Sequence, residues 1–78
     1  MKDALLKILS DVTEGAYSRE ELLYDDYEDK GMLDSLQIVE LVVELEDIFG
    51  IEINDEDLSI DNMRSFEMII DLIQRLRK

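Results

Sequence analysis

The sequence contains no cysteine, no histidine and no proline, and only three glycines. Without cysteine there is no disulfide, and without Cys and His clusters there is no zinc knuckle. No side chain is left with an unperturbed pKa near neutrality, and no native thiol is present. Three glycines do not build a phosphate-cradling Gly-rich loop. Met1-Lys2-Asp3 leads into regularly spaced charges, not into a long apolar run. A signal peptide, a transmembrane span and a lipidation box are therefore not expected, and the implied compartment is a reducing cytoplasm. Carboxylates are many, but nothing in their spacing marks a desolvated acid–base pair, so a standalone enzyme is not expected.

Positive charge is scarce as well. Eight Lys and Arg stand against 21 Asp and Glu, a formal net charge of −13. The eight sit near the ends, and from Gly31 to Met63 there is no Lys or Arg at all against ten acidic residues. Nucleic acid needs cationic side chains to displace counterions, so it is excluded as a partner, and insertion into anionic membranes is disfavoured. Basic protein partners met by electrostatic steering are favoured. The 46% hydrophobic content is periodic, which argues against a disordered acidic chain.

What is present reads as one domain, residues 1–78, that is all-α. The expected architecture is a small bundle of three main helices plus one short helix, with a long first loop, existing as a monomer. The first helix is predicted over Lys2 to Thr13, with Leu5, Ile8, Leu9 and Val12 as its core stripe and Gly15 ending it. Glu14 to Met32 follows as a long connection. Within it Ser18-Arg19-Glu20-Glu21 can start a helical turn, and Leu22, Leu23, Tyr24 and Tyr27 are its expected anchors. A connection this long is usually functional or hides an element. The second long helix begins at Asp34 or Ser35 and ends at Gly50. With Asp34 as cap, Gln37 falls at the third helical position and completes a capping box. Asn54 to Leu58 reads as a short capped turn. Ser65 caps a last helix with Phe66, Ile69, Ile70, Ile73 and Leu76 buried.

The second long helix has two faces. Ile38, Leu41, Val42, Leu45, Ile48 and Phe49 share the core side at about 100° per residue. Gln37, Glu40, Glu44 and Asp47 take the opposite side, where Leu36 and Val43 also lie, with Val39 at the edge. An apolar strip among carboxylates, turned away from the core, has the composition of a docking surface. The competing explanation is that these residues pack under the long loop. The two explanations are evenly matched for Val39, and partner contact is preferred for Leu36 and Val43.

The acidic run Asp25 to Gly31 invites a calcium reading. Aligning Gly31 with the glycine of an EF-hand loop puts Lys30 and Gln37 where oxygen-rich acidic ligands are required, and the match fails. No metal site is expected.

The run Gly31-Met32-Leu33-Asp34-Ser35-Leu36-Gln37-Ile38-Val39-Glu40-Leu41-Val42, continued by Leu45-Glu46-Asp47-Ile48-Phe49-Gly50-Ile51-Glu52-Ile53, resembles the phosphopantetheine-dependent acyl carrier proteins. The similarity extends over the chain in size, acidity, helix order and long first loop. It implies that Ser35 accepts 4′-phosphopantetheine from coenzyme A, installed by a separate transferase, with Asp34 and Leu36 flanking the attachment. It further implies that acyl groups are carried as thioesters on the arm's thiol. Leu36, Val39, Glu40, Val43, Glu44, Glu46 and Asp47 would meet basic patches on the phosphopantetheinyl transferase and on acyl-transfer and synthase enzymes, with Ile53 at the mouth of a chain-binding cleft. Fatty acid biosynthesis is the default pathway. A D-alanyl, polyketide or aminoacyl carrier is the alternative, since Gly31-Met32-Leu33-Asp34-Ser35 is similar to the Gly-Leu-Leu-Asp-Ser run of D-alanyl carriers. Three departures are Asn54, where many members have proline, Gln37, where fatty-acid carriers often have an acid, and Leu36, where D-alanyl carriers usually have phenylalanine after the serine. From a different class, the chain would be an acidic helical adaptor without a prosthetic group.

Overall fold

A computed structural model describes residues 1–54 and 60–77. Its helices are α1 (Lys2–Val12), α2 (Arg19–Tyr24), α3 (Ser35–Phe49) and α4 (Phe66–Leu76), with a 3-10 turn at Ile60–Asn62 before α4. No strand occurs among the described residues. The expected all-helical bundle is what forms. The short helix lies inside the long connection, and the turn expected at Asn54 to Leu58 falls, beyond Asn54, outside the described residues.

Apolar residues three and four apart bring α1 against α3, while α2 bridges α1 and α4. Leu5, Leu9, Leu41, Leu45, Met63, Ile69, Leu72 and Ile73 are fully enclosed. Ile8, Leu41 and Leu45 are buried, and Ile53, expected at the mouth of a cleft, packs half-buried against the core together with Ile70. Two expected core residues are not in it. Ile48 is 51% exposed, because the helix turns it about 60° away from the direction of Leu45. Tyr24 is 80% exposed. Once the connection winds into α2, Leu22 faces the core, and a residue two positions later points about 200° away from it.

α1 stops one residue earlier than expected, and glycine does not make the stop. Thr13 is the C-cap, and its buried hydroxyl donates to the Leu9 carbonyl at 2.7 Å. Glu14 takes the left-handed conformation, φ 57°, before Gly15 does so at 70°. The Gly15 N–H donates to Ser10 O at 2.8 Å and the Glu14 N–H to Asp11 O at 3.1 Å. These are the two bonds of a Schellman cap, with glutamate at the position that favours glycine.

The connection is pinned by α2 and by two side chains beyond it. Ser18 and Glu21 cap α2 reciprocally, at 3.1 and 2.9 Å. The buried Tyr27 donates its hydroxyl to the Leu22 carbonyl, and its N–H donates to the carbonyl of Arg64. Asp26 Oδ1 accepts the N–H groups of Glu28 and Asp29, while Oδ2 takes the Arg64 guanidinium at 3.1 Å. The Asp29 N–H, with help from Arg64, holds the Asp26 carboxyl below its ordinary range. Glu28 and Asp29 lie 3.4 and 3.7 Å from the same guanidinium. The loop that resembled a calcium loop thus has an arginine as its cation.

Two outcomes follow. Glu14→Gly should raise stability by about 0.5–1 kcal/mol, the left-handed penalty of an L-residue less the extra backbone entropy of glycine. A melting curve should move up by a few degrees, and an unchanged or lower Tm would refute the strain at Glu14. Tyr27→Phe should cost about 1–3 kcal/mol by leaving the Leu22 carbonyl unpaired. Burial raises the Tyr27 phenol pKa well above its ordinary value. The stability tied to the neutral phenol is therefore complete below about pH 10, the unfolded value, and lost as pH rises beyond it. The wild-type Tm should fall more steeply than that of Tyr27→Phe above that pH; parallel falls would exclude this assignment.

Candidate functional site

The end of the pinned connection delivers Met32 and Leu33, both buried, and then Asp34 at the start of α3. Asp34 is extended, φ −92° and ψ 179°, as an N-cap requires. Its Oδ1 accepts the Gln37 N–H at 2.8 Å, and Gln37 Oε1 accepts the Asp34 N–H at 3.0 Å. Of the two candidate caps, Asp34 is the one used. Gln37 does a third task with its remaining group, since Nε2 donates to the Val12 carbonyl at 3.4 Å. A glutamate has no donor for that contact, which is a local reason for an amide here. The bond ties the start of α3 to the end of α1, so Gln37 is half-buried and not part of the outer face.

Ser35 is the first residue of α3 and is exposed. Among the described residues its hydroxyl makes no hydrogen bond, because the capping work is done on either side of it. The first-turn N–H groups of Ser35 and Leu36 have no carbonyl four residues earlier in the helix to bond. An anionic group esterified to Ser35 would meet these groups and the positive end of the helix dipole. No acidic residue of α3 itself lies in that first turn, and the neighbouring carboxylate, Asp34, is engaged as the cap. The residues present therefore fit a covalently held phosphodiester.

Beyond Ser35 the outer face of α3 is uncovered: Leu36 is 67% exposed, Val39 52% and Val43 57%. Packing under the long loop does not account for them. Glu40, Glu44 and Asp47 are exposed beside them, and none of the three forms an ion pair among the described residues. Glu46 differs from the expectation. It is half-buried, and its Oε2 accepts the Ile53 N–H at 2.9 Å. It secures the chain after Gly50, whose left-handed φ of 63° ends α3. Glu46 and Ile53 thus form one structural pair at the rim.

Sequence reasoning missed one member of this surface. Asp11, at the end of α1, joins Val12, Val39, Val43, Glu40 and Glu44 around an open groove of about 390 Å³. A sequence signal existed: Asp11 is in the last turn of α1, where a carboxylate opposes the helix dipole and where no basic residue is present. No group of residues that could hold a metal ion is found among the described residues. No described helix is long and apolar enough to cross a membrane.

The family described as "Phosphopantetheine attachment site" matches residues 3–73. A D-alanyl carrier protein of Bacillus cereus (strain B4264) is 32% identical over 76 residues, 97% of this chain and 95% of that protein. A D-alanyl carrier protein of Streptococcus pyogenes serotype M5 (strain Manfredo) is 35% identical over 57 residues, 73% of this chain and 72% of that protein. No solved structure matches.

The cap and the serine are separable. Asp34→Ala should cost about 1 kcal/mol, since it frees the N–H of Gln37. Ser35→Ala should stay within about 0.5 kcal/mol of wild type, as an exposed side chain without partners does. Urea unfolding followed by circular dichroism measures both. An equal loss in the two variants would mean that the serine shares the cap.

Proposed function

The chain belongs to the phosphopantetheine attachment-site family, and from that premise we propose that Ser35 is the residue modified and that the cargo is an aminoacyl group of the D-alanyl kind. The family's domain is the site of covalent 4′-phosphopantetheine attachment. When bound, that group supplies a flexible reach and a terminal thiol, which this cysteine-free chain lacks. The observation that carries the assignment is the free, exposed hydroxyl of Ser35 at a helix start capped by its neighbours.

Each neighbouring residue has a role in this reading. Asp34 and Gln37 hold the first turn of α3 in place, so the acceptor hydroxyl is presented at a fixed position. Asp34 also stands beside the acceptor, where a transferase's cation-bound coenzyme A must approach. Leu36, Val39 and Val43 give a partner enzyme apolar contact, and Glu40, Glu44 and Asp47 receive its Lys and Arg side chains. Exposed charges of this kind favour fast, salt-sensitive encounters over tight ones. The chain itself supplies no catalysis; it tethers the cargo and raises its effective concentration at successive enzymes.

The named relatives support a specialised carrier over the default of fatty acid synthesis. The run Gly31 to Ser35 agrees with that preference. Location in the cytoplasm, the compartment of coenzyme A-dependent loading, belongs to the same proposal.

Intact mass spectrometry before and after incubation with a broad-specificity phosphopantetheinyl transferase and coenzyme A tests the site. Wild type should gain one phosphopantetheinyl group and Ser35→Ala none. A gain in the alanine variant would move the site elsewhere. No gain in folded wild type, beside an active control carrier, would favour the acidic adaptor without a prosthetic group.

A further inference from the structure

We infer that the groove between α1 and α2 binds a small phosphate monoester. Leu6, Lys7 and Ser10 of α1, Tyr17 of the connection, and Arg19 and Leu22 of α2 line an open cavity of about 230 Å³. In a chain with 21 acidic residues against 8 basic ones, this lining holds two cations and no carboxylate. It shares no residue with the attachment point or with the outer face of α3.

A second observation is that none of its side-chain donors is used within the fold. Lys7 has Asp3 and Asp11 four residues away on either side, the spacing at which helical ion pairs form, and bridges to neither. Arg19 makes no ion pair either. No acid stands three or four residues after it, and the Glu21 carboxylate is taken by the Ser18 N–H. The hydroxyls of Ser10 and Tyr17, both half-buried residues, have no hydrogen-bond partner among the described residues. Two cations and two hydroxyls, drawn from α1, the connection and α2, therefore converge on one cavity with no protein acceptor to serve.

These groups select among anions. A carboxylate brings one charge and two oxygens, and would leave a cation or the hydroxyls unused. A phosphate monoester brings a charge of about −1.5 to −2 and three acceptor oxygens. The fork of Arg19 suits two of them, Lys7 adds a point charge, and the hydroxyls complete the set of donors. The organic group of the ester meets Leu6, Leu22 and the ring of Tyr17, which packs on the core. The cavity is smaller than the roughly 300–1,000 Å³ of drug-sized pockets, so the ligand is small. The net charge of −13 opposes the approach of any anion. At physiological ionic strength that field decays over about 8 Å, and at contact the lining decides. A bound monoester would brace α2 against α1, within the connection that leads to Ser35.

Phenyl phosphate is the probe, and benzoate is the comparison with the same ring and a single charge. Each is titrated into the full, unmodified chain while backbone amide chemical shifts are followed. Phenyl phosphate should move the amides of Lys7, Ser10, Tyr17 and Arg19 along saturable curves, and bind at least about tenfold more tightly than benzoate. The variant K7Q/R19Q, altered only at exposed residues and checked for fold by circular dichroism, should lose at least about tenfold in that affinity. K2Q/R77Q removes the same charge at two cations outside the groove and should bind as wild type does. Tyr17→Phe should weaken binding severalfold while keeping the ring. Shifts that stay linear, or that spread evenly over the surface, would leave an adventitious ion only and overturn the inference. Equal affinity for benzoate would overturn the monoester, and an equal loss in K2Q/R77Q would overturn the groove. Unchanged affinity in K7Q/R19Q or in Tyr17→Phe would overturn the donor set. None of these outcomes depends on the loading of Ser35, so failure here leaves the carrier reading intact.

Discussion

Tyr27 is where the long connection is fastened to the helices. Its side chain is buried and its hydroxyl closes on Leu22 of α2, while its N–H and carbonyl are taken by Arg64, just before α4, and Met32. Local turns alone would leave a segment this long without a fixed path, because loop closure costs entropy that only burial and hydrogen bonds offset. With Tyr27 seated, Met32 and Leu33 enter the core and Asp34 arrives at the one place where it can cap α3. The position of Ser35 is therefore set by a tyrosine eight residues earlier in sequence, as well as by its own helix.

The charge distribution divides the molecule. Arg64 gathers Asp26, Glu28 and Asp29 on the side of the connection, so that region carries its own counterion. Among the described residues no Lys or Arg pairs with the outer face of α3. No basic residue lies in the last turn of α1 or of α3, so the carboxylates there gain nothing from the helix dipoles. Self-repulsion on that face opposes the compact state, and the buried stripes of α1, α3 and α4 must outweigh it. The fold tolerates a charged, partly apolar surface that contributes nothing to holding it together.

Much of this was legible in the sequence, for reasons that can be named. The stripes of α1 and α4, the cap at Ser65, the Asp34–Gln37 pair and the stop at Gly50 are written in short-range spacing, which the helical period reads directly. Tyr24 lies outside the core because the connection winds into α2, and a helix cannot turn Leu22 and Tyr24 to the same side. Ile48 lies outside it because periodicity gives a direction without saying how wide the core stripe is. Glu46 bonding to Ile53, Gln37 reaching Val12 and Arg64 closing on Asp26 each join groups that only the folded path brings together. Asp11 belongs with these, since its groove exists only when α1 lies against α3.

The separation of the cap from the serine has a consequence for information. Asp34 and Gln37 hold the start of α3 without the Ser35 hydroxyl, so chemistry on that oxygen breaks no hydrogen bond of the fold. A mark placed there is written on the surface and not into the core. Under the proposed carrier reading, an enzyme that must tell a charged molecule from an empty one reads the tether itself, and the messenger stays mute.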